Sequence, residues 1–318
     1  MVPPMASQTA DLSGKVTPKT LAHYARLAQS GAALVMLEYS YIHWSGKSEA
    51  NQLGIDSNTC IEGLSQVAAM LHQAGVVVGI QITHCGGKDS GGVSTDLMGP
   101  SGIAVPVLNR QLPCPRAMNL NDIASWQADF VAAAIRADRV GFDIVELHCA
   151  HGYGLNQFLS PITNHRRDGY GGSLPNRVHI LVETIAAIKQ RCPHLTLMVR
   201  VPGQDGFTGG LSCEDMIAIS QLLVAAGVSV LNVSSGIGGW HLATERATEG
   251  YLVAEAQRFK LAQLGVPIVG VGGINSGDYI DKALQAQWFD LAAVGRGILE
   301  NPIAFRRQTF PHANGLIE

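Results

Sequence analysis

Two imidazoles and a phenol, His148, His151 and Tyr153, lie within six positions of one another in the run 141–177. Side chains of these types exchange protons, donate hydrogen bonds or ligate metals, and their density marks a place where chemistry is done. They follow Phe142-Asp143-Ile144-Val145-Glu146-Leu147, a short apolar stretch that reads as a buried strand, so they gather at a strand tip. Beyond them the chain is rich in Gly, Asn and Asp until a helical pattern resumes near Leu174. Long structured loops carry function more often than packing.

A metal reading of the histidine pair needs further ligands. Glu146 is the nearby acid, and strand alternation points it inward with His148 but one layer deeper. No metal is expected. An ordinary satisfied core histidine suits His72 or His179, and suits a His-x-x-His pair at a strand end poorly.

The elements that must position these residues follow from periodicity. Helices are expected over 17–29, where Thr17-Pro18 supplies a cap and a first-turn proline, and over 62–74, 122–140, 174–191, 213–225, 251–264 and 277–284. Strands are expected over 32–37, 76–82, 142–147, 195–201, 229–233, 267–271 and 290–294. Each strand is short and continuously apolar, as in a parallel sheet covered on both faces. Counting Val2–Met5 as the first strand gives eight repeats. The fold class is therefore α/β, a (β/α)8 TIM barrel in one domain spanning 1–318. The segment 85–120 breaks the rhythm and reads as an excursion above the scaffold. Because the first strand starts at Met1, the N-terminal segment that would seal the barrel's lower mouth is expected to be incomplete.

In such a barrel the working residues sit at the C-terminal strand ends, where Gln81, His84, His148, Arg200, Gly272 and Gly295 fall. Gly272-Gly273 and Gly295-Arg296 end the last two strands. Glycines there admit backbone N–H groups to a phosphate, and Arg296 can add charge-assisted bonds; the alternative is that they only make tight turns. The formal net charge of −3, without a basic block, argues against nucleic acid. Hydrophobic residues make up 47% and charged ones 15%, enough for a large core. The six cysteines form no C-x-x-C pair, and no apolar run approaches the roughly 18 residues of a membrane span. A soluble cytoplasmic protein is expected.

The order His148-Cys-Ala-His151-Gly-Tyr153, then Gln157-Phe-Leu-Ser-Pro161, Asn164, Arg167-Asp168, Tyr170-Gly-Gly-Ser173 and Asn176-Arg177, closely resembles the signature of the Old Yellow Enzyme family of FMN-dependent ene-reductases. The resemblance covers nearly the whole chain. Pro3-Pro4-Met5 is similar to the family's first-strand flavin contact, Gln81 with His84 to its third-strand motif, and Arg200 to its flavin-contacting arginine. Gly272-Gly273 and Gly295-Arg296 resemble its phosphate loops.

The resemblance implies FMN across the barrel mouth, with NADH or NADPH as reductant and a small activated alkene as substrate. Arg200 would stabilise charge at the flavin's pyrimidine edge near Gln81, and Glu146 is expected to pair with Arg200 beneath it. His148 and His151 would bind the carbonyl oxygen of an α,β-unsaturated substrate, and Tyr153 would protonate its α-carbon. Relatives often form homodimers.

Two positions depart from the pattern. Ala6 stands where many relatives place a Cys or Thr that hydrogen-bonds the flavin, and Tyr39 stands where relatives usually have a small residue at the flavin's edge. The rim segments 85–120 and 236–244 are expected to set substrate choice. The rival readings are a flavin-binding protein without efficient turnover and a flavin-free barrel lyase or isomerase using the same phosphate loops.

Overall fold

The computed structural model describes residues 1–89, 91–239 and 248–309; part of the rim segment 236–244 lies outside them. Seven parallel strands run in chain order around the sheet: β1 (Leu34–Tyr41), β2 (Val77–Thr83), β3 (Ile144–His148), β4 (Thr196–Pro202), β5 (Val230–Ser234), β6 (Ile268–Gly270) and β7 (Leu291–Ala292). Met1 and Val2 close the ring. Val2 bonds β1 through Leu34 O at 2.8 Å and Met36 N at 3.0 Å. Met1 bonds the opposite edge through Ala292 O at 2.6 Å and Val294 N at 3.0 Å. The first strand expected over 2–5 shrinks to this bridge because Pro3 and Pro4 have no N–H to offer a ladder.

Helices cover the outside of the barrel. They are α1 (Pro18–Ala28), α2 (Ile61–Gln73), α3 (Leu120–Val140), α4 (Gly154–Leu159), α5 (Leu174–Arg191), α6 (Cys213–Ala225), α7 (Val253–Leu261), α8 (Gly277–Gln285), α9 (Arg296–Glu300) and α10 (Pro302–Thr309). Local chemistry sets their ends. Thr17, Asn119 and Ser212 cap α1, α3 and α6 through reciprocal bonds with the third helical residue, and Gly141 ends α3 at φ +92. The short helices α4, α9 and α10 escape periodicity because one or two turns give too little pattern to detect.

Between helices and sheet lies the main core, including Leu64, Val67, Phe130, Ala134, Ile185 and Ile188. A second, smaller cluster, Met36, Ile144, Met198, Val269 and Ala293, fills the barrel's interior. Above it the inward positions turn polar. The register pairs Gln81 with Glu146, His148 with Arg200, and Arg200 with Asn232, so one apolar layer supports a polar one at the mouth.

The excursion after β2 is anchored rather than loose. Met98–Gly99 pairs with Arg116–Ala117, Arg116 bridges Asp96 and Asp122, and Trp126 Nε1 donates to Met98 Sδ at 3.1 Å. Its far end buries Val105 and Leu112 against Ile237, with Ile162 and Phe207 packed alongside.

Candidate active site

His148, the last residue of β3, is almost fully buried. Its Nδ1 accepts the Ala150 N–H at 3.4 Å, which leaves the ring proton on Nε2. The chain then turns sharply, with His151 at φ +60 and Gly152 at φ +76. A side chain at Gly152 would lie 2.5 Å from Ile237 O, so that position must be glycine. The turn folds His151 and Tyr153 back over His148. Ring centroids are 5.0 Å apart for His148–His151 and 4.8 Å for His148–Tyr153.

His151 Nε2 meets Ser234 Oγ at 2.7 Å, and Arg200 Nη2 donates to the same oxygen at 3.0 Å. Burial holds both imidazoles well below their ordinary pKa, with the positive charges of Arg200 and Lys88 adding to the effect. Tyr153 caps α4, and burial pushes its phenol up to about 12 although the Tyr39 and Ser48 hydroxyls beside it act the other way.

The carboxylate of Glu146 is buried one layer deeper and accepts from Gln81 Nε2 at 2.6 Å and Asn232 Nδ2 at 2.8 Å. The expected Glu146–Arg200 ion pair is therefore not made. Both residues face the barrel interior, but Arg200 sits a register step higher, bonds Ser234, and acts on Glu146 only through space. Burial raises the Glu146 pKa while Arg200 and the two amides oppose that rise.

The remaining predicted residues lie at or beyond the C-terminal ends of their strands. Pro3 and Pro4 are buried, Met5 is half-buried, and Ala6 is exposed. A Cβ at Gly295 would lie 3.1 Å from Met5 Sδ and 3.6 Å from Pro3 Cγ, which brings the N-terminal segment against the last loop. Arg296 is exposed at the start of α9. Gly272 and Gly273 both have positive φ, +118 and +68, and pack against Leu252 and Tyr251. The Tyr39 ring lies tilted beside those of His148 and Tyr153, and its hydroxyl donates to Glu49 Oε1 at 2.8 Å. His84 serves a structural end: it packs 4.1 Å from Trp126 and bonds Ser45 at 3.1 Å.

Several site residues escaped the sequence reasoning. Lys88 is buried, donates to the His151 carbonyl, and lies 5.6 Å from the Tyr153 ring centroid. Burial lowers its pKa to about 8. Asn232 and Ser234 had a detectable signal, since they alternate with apolar residues at the end of β5 and so face inward together.

Three buried polar atoms of this layer have no protein partner: Gln81 Oε1, Asn232 Oδ1 and Arg200 Nε. Two acceptors and a donor left bare in a barrel mouth call for a polar, planar ligand with both kinds of edge atom. The model of the family described as NADH:flavin oxidoreductase / NADH oxidase matches residues 1–309. The chain belongs to that family, the family of Old Yellow Enzyme. It is 36% identical to the NADPH dehydrogenase of Bacillus pumilus over 292 residues, which covers 92% of this chain and 84% of the relative. It is 33% identical to the NADH oxidase of Thermoanaerobacter brockii over 95% of this chain but only 47% of that longer protein. Among solved structures, the Old Yellow Enzyme homologue of Zymomonas mobilis superposes with a TM-score of 0.83 at 23% identity, covering 98% of this chain and 88% of that one.

This family member is accordingly an NAD(P)H-dependent flavin oxidoreductase with FMN as its cofactor. The bare atoms fit that group. An isoalloxazine edge offers an N–H to Gln81 Oε1 and carbonyl or ring-nitrogen acceptors to Arg200.

Proposed function

We propose that this oxidoreductase reduces the activated C=C bond of α,β-unsaturated carbonyl compounds. The observation that carries the proposal is the convergence of His148, His151 and Tyr153 beside the polar layer that would hold the flavin. Gln81, Arg200, Pro3, Pro4 and Met5 would hold the ring system, and Gly272, Gly273, Gly295 and Arg296 the phosphate. Ala6 would pack there without a hydrogen bond. FMN, reduced by NADH or NADPH, supplies the hydride.

The protein's own contribution is a division of labour between imidazoles and phenol. His148 presents its Nε2–H. Arg200 donates to Ser234 Oγ, and in the tautomer that serves this reaction the Ser234 hydroxyl donates to His151 Nε2, which puts the ring proton of His151 on Nδ1. Each imidazole thus has one N–H for the substrate oxygen. Both resist a positive charge, so they bind the oxygen as neutral donors and leave proton transfer to Tyr153, which stays protonated at neutral pH. Hydrogen bonds aimed at the oxygen strengthen as negative charge builds there, and the phenol closes the cycle at the α-carbon.

Stopped-flow flavin absorbance separates the two halves of the cycle. Tyr153→Phe should slow flavin reoxidation by cyclohexenone by roughly 100-fold or more, while His148→Ala with His151→Ala should cost about 2.7 to 4 kcal/mol of transition-state stabilisation per lost donor. Undiminished enone turnover in either variant would overturn the assignment.

A further inference from the structure

Tyr153 is sealed under its neighbours, so once it has given up its proton it needs a path by which to regain one. We propose that Tyr39 and Glu49 form that path, a relay from solvent to the Tyr153 oxygen. The inference rests on Tyr153 being the proton donor.

Tyr39 lies at the mouth end of β1, its ring centroid 5.5 Å from that of Tyr153 at an interplanar angle of 43°. Its hydroxyl donates to Glu49 Oε1 at 2.8 Å, and Tyr39 also acts on the neighbouring Tyr153 phenol as a hydrogen-bonding group that lowers its pKa. The other oxygen of Glu49 accepts from Gln8 Nε2 at 3.0 Å in an exposed bond, so the carboxylate spans from the buried phenols to water.

The assembly is held in place. Buried Gln52 donates to Tyr39 O at 2.9 Å and accepts from Ser48 N at 2.8 Å, tying β1 to the segment that presents Glu49. The other ionisable neighbours do not offer the same route. Glu38 is buried and engaged by Ser7 and Tyr24, and the Lys88 ammonium faces the Tyr153 ring while bonded to the His151 carbonyl. A small side chain could not bridge Tyr153 to Glu49.

One proton moves per turnover. The Tyr39 O–H breaks as the Tyr153 phenolate gains its proton, a hydronium ion of the solvent adds its proton to the Glu49 carboxylate and leaves as water, and the carboxyl O–H so formed breaks as the Tyr39 oxygen regains a proton. No electrons move in the relay. In the resting protein Tyr153 is already protonated, so the first turnover does not need it.

The test compares first and later turnovers of the FMN-loaded enzyme with NADPH and cyclohexenone. In Glu49→Gln the first reoxidation of flavin should stay near the wild-type rate, and in Tyr39→Phe later turnovers should fall further than the first. Later turnovers should slow roughly tenfold and acquire a larger solvent deuterium isotope effect. Glu49→Asp and added acetate with Glu49→Gln should restore the later turnovers. First and later turnovers slowed alike, or later turnovers unchanged, would overturn the relay. Should Tyr153→Phe leave the first turnover fast, Tyr153 is not the donor, and that failure is distinct from failure of the relay.

Discussion

Replacing Glu146 with Gln isolates what the buried carboxylate does. Its two oxygens accept from Gln81 Nε2 at 2.6 Å and Asn232 Nδ2 at 2.8 Å, and they hold each amide with its own oxygen turned away and free. Glutamine is isosteric but replaces one acceptor with a donor. One amide then faces another N–H₂, losing a hydrogen bond to a charged group worth about 1.5 to 3 kcal/mol. It must either stay unpaired or flip. If Gln81 flips, its oxygen satisfies the new amide and no longer faces the flavin edge, and an unmatched buried ligand N–H costs about 1 to 3 kcal/mol, roughly 5- to 150-fold in FMN affinity. Arg200 also loses the nearby negative charge that favours its own.

Glu146→Gln is therefore expected to lower unfolding free energy by about 1.5 to 3 kcal/mol and to weaken FMN binding at least about fivefold. Urea unfolding of the FMN-free protein measures the first, and quenching of flavin fluorescence on titration measures the second. Unfolding and FMN affinity both equal to wild type would show that Glu146 does not orient the two amides.

Other consequences follow from single residues. Lys88 stays protonated in the unfolded chain up to about 10.5 but in the fold only up to about 8, so between those values the unfolded chain binds more protons and stability rises with pH. Below about 8 the penalty is fully present and amounts to roughly 3 kcal/mol. The stability difference between Lys88→Met and wild type should change across this window and level off outside it, and urea unfolding at a series of pH values giving a constant difference would refute the assignment. At Gly272, φ is +118 and an added Cβ would lie 2.8 Å from Leu252 N, so Gly272→Ala must move backbone on both sides. A loss of about 1 to 3 kcal/mol and release of FMN on gel filtration are expected, whereas a wild-type melting temperature with FMN retained would contradict it.

The sequence alone determined the alternation of strands and helices, because apolar periodicity reports which face each segment buries. It also determined the cluster His148, His151 and Tyr153, because these residues are neighbours in the chain and a strand end delivers them together. Where its expectations slipped, local pattern was overruled. Pro3 and Pro4 cut the first strand to a bridge, and short helices such as α4 have too few turns to show a period.

The tertiary structure decided what depends on distance across the barrel. Glu146 bonds Gln81 and Asn232, 65 and 86 positions away, instead of Arg200. Ser234 joins Arg200 to His151, and Lys88 reaches the His151 carbonyl from the excursion. Strand alternation says which side chains point inward, but the register between strands sets which of them meet. That register is fixed only when the ring of eight staves closes, and with it the choice of hydrogen-bond partners at the mouth.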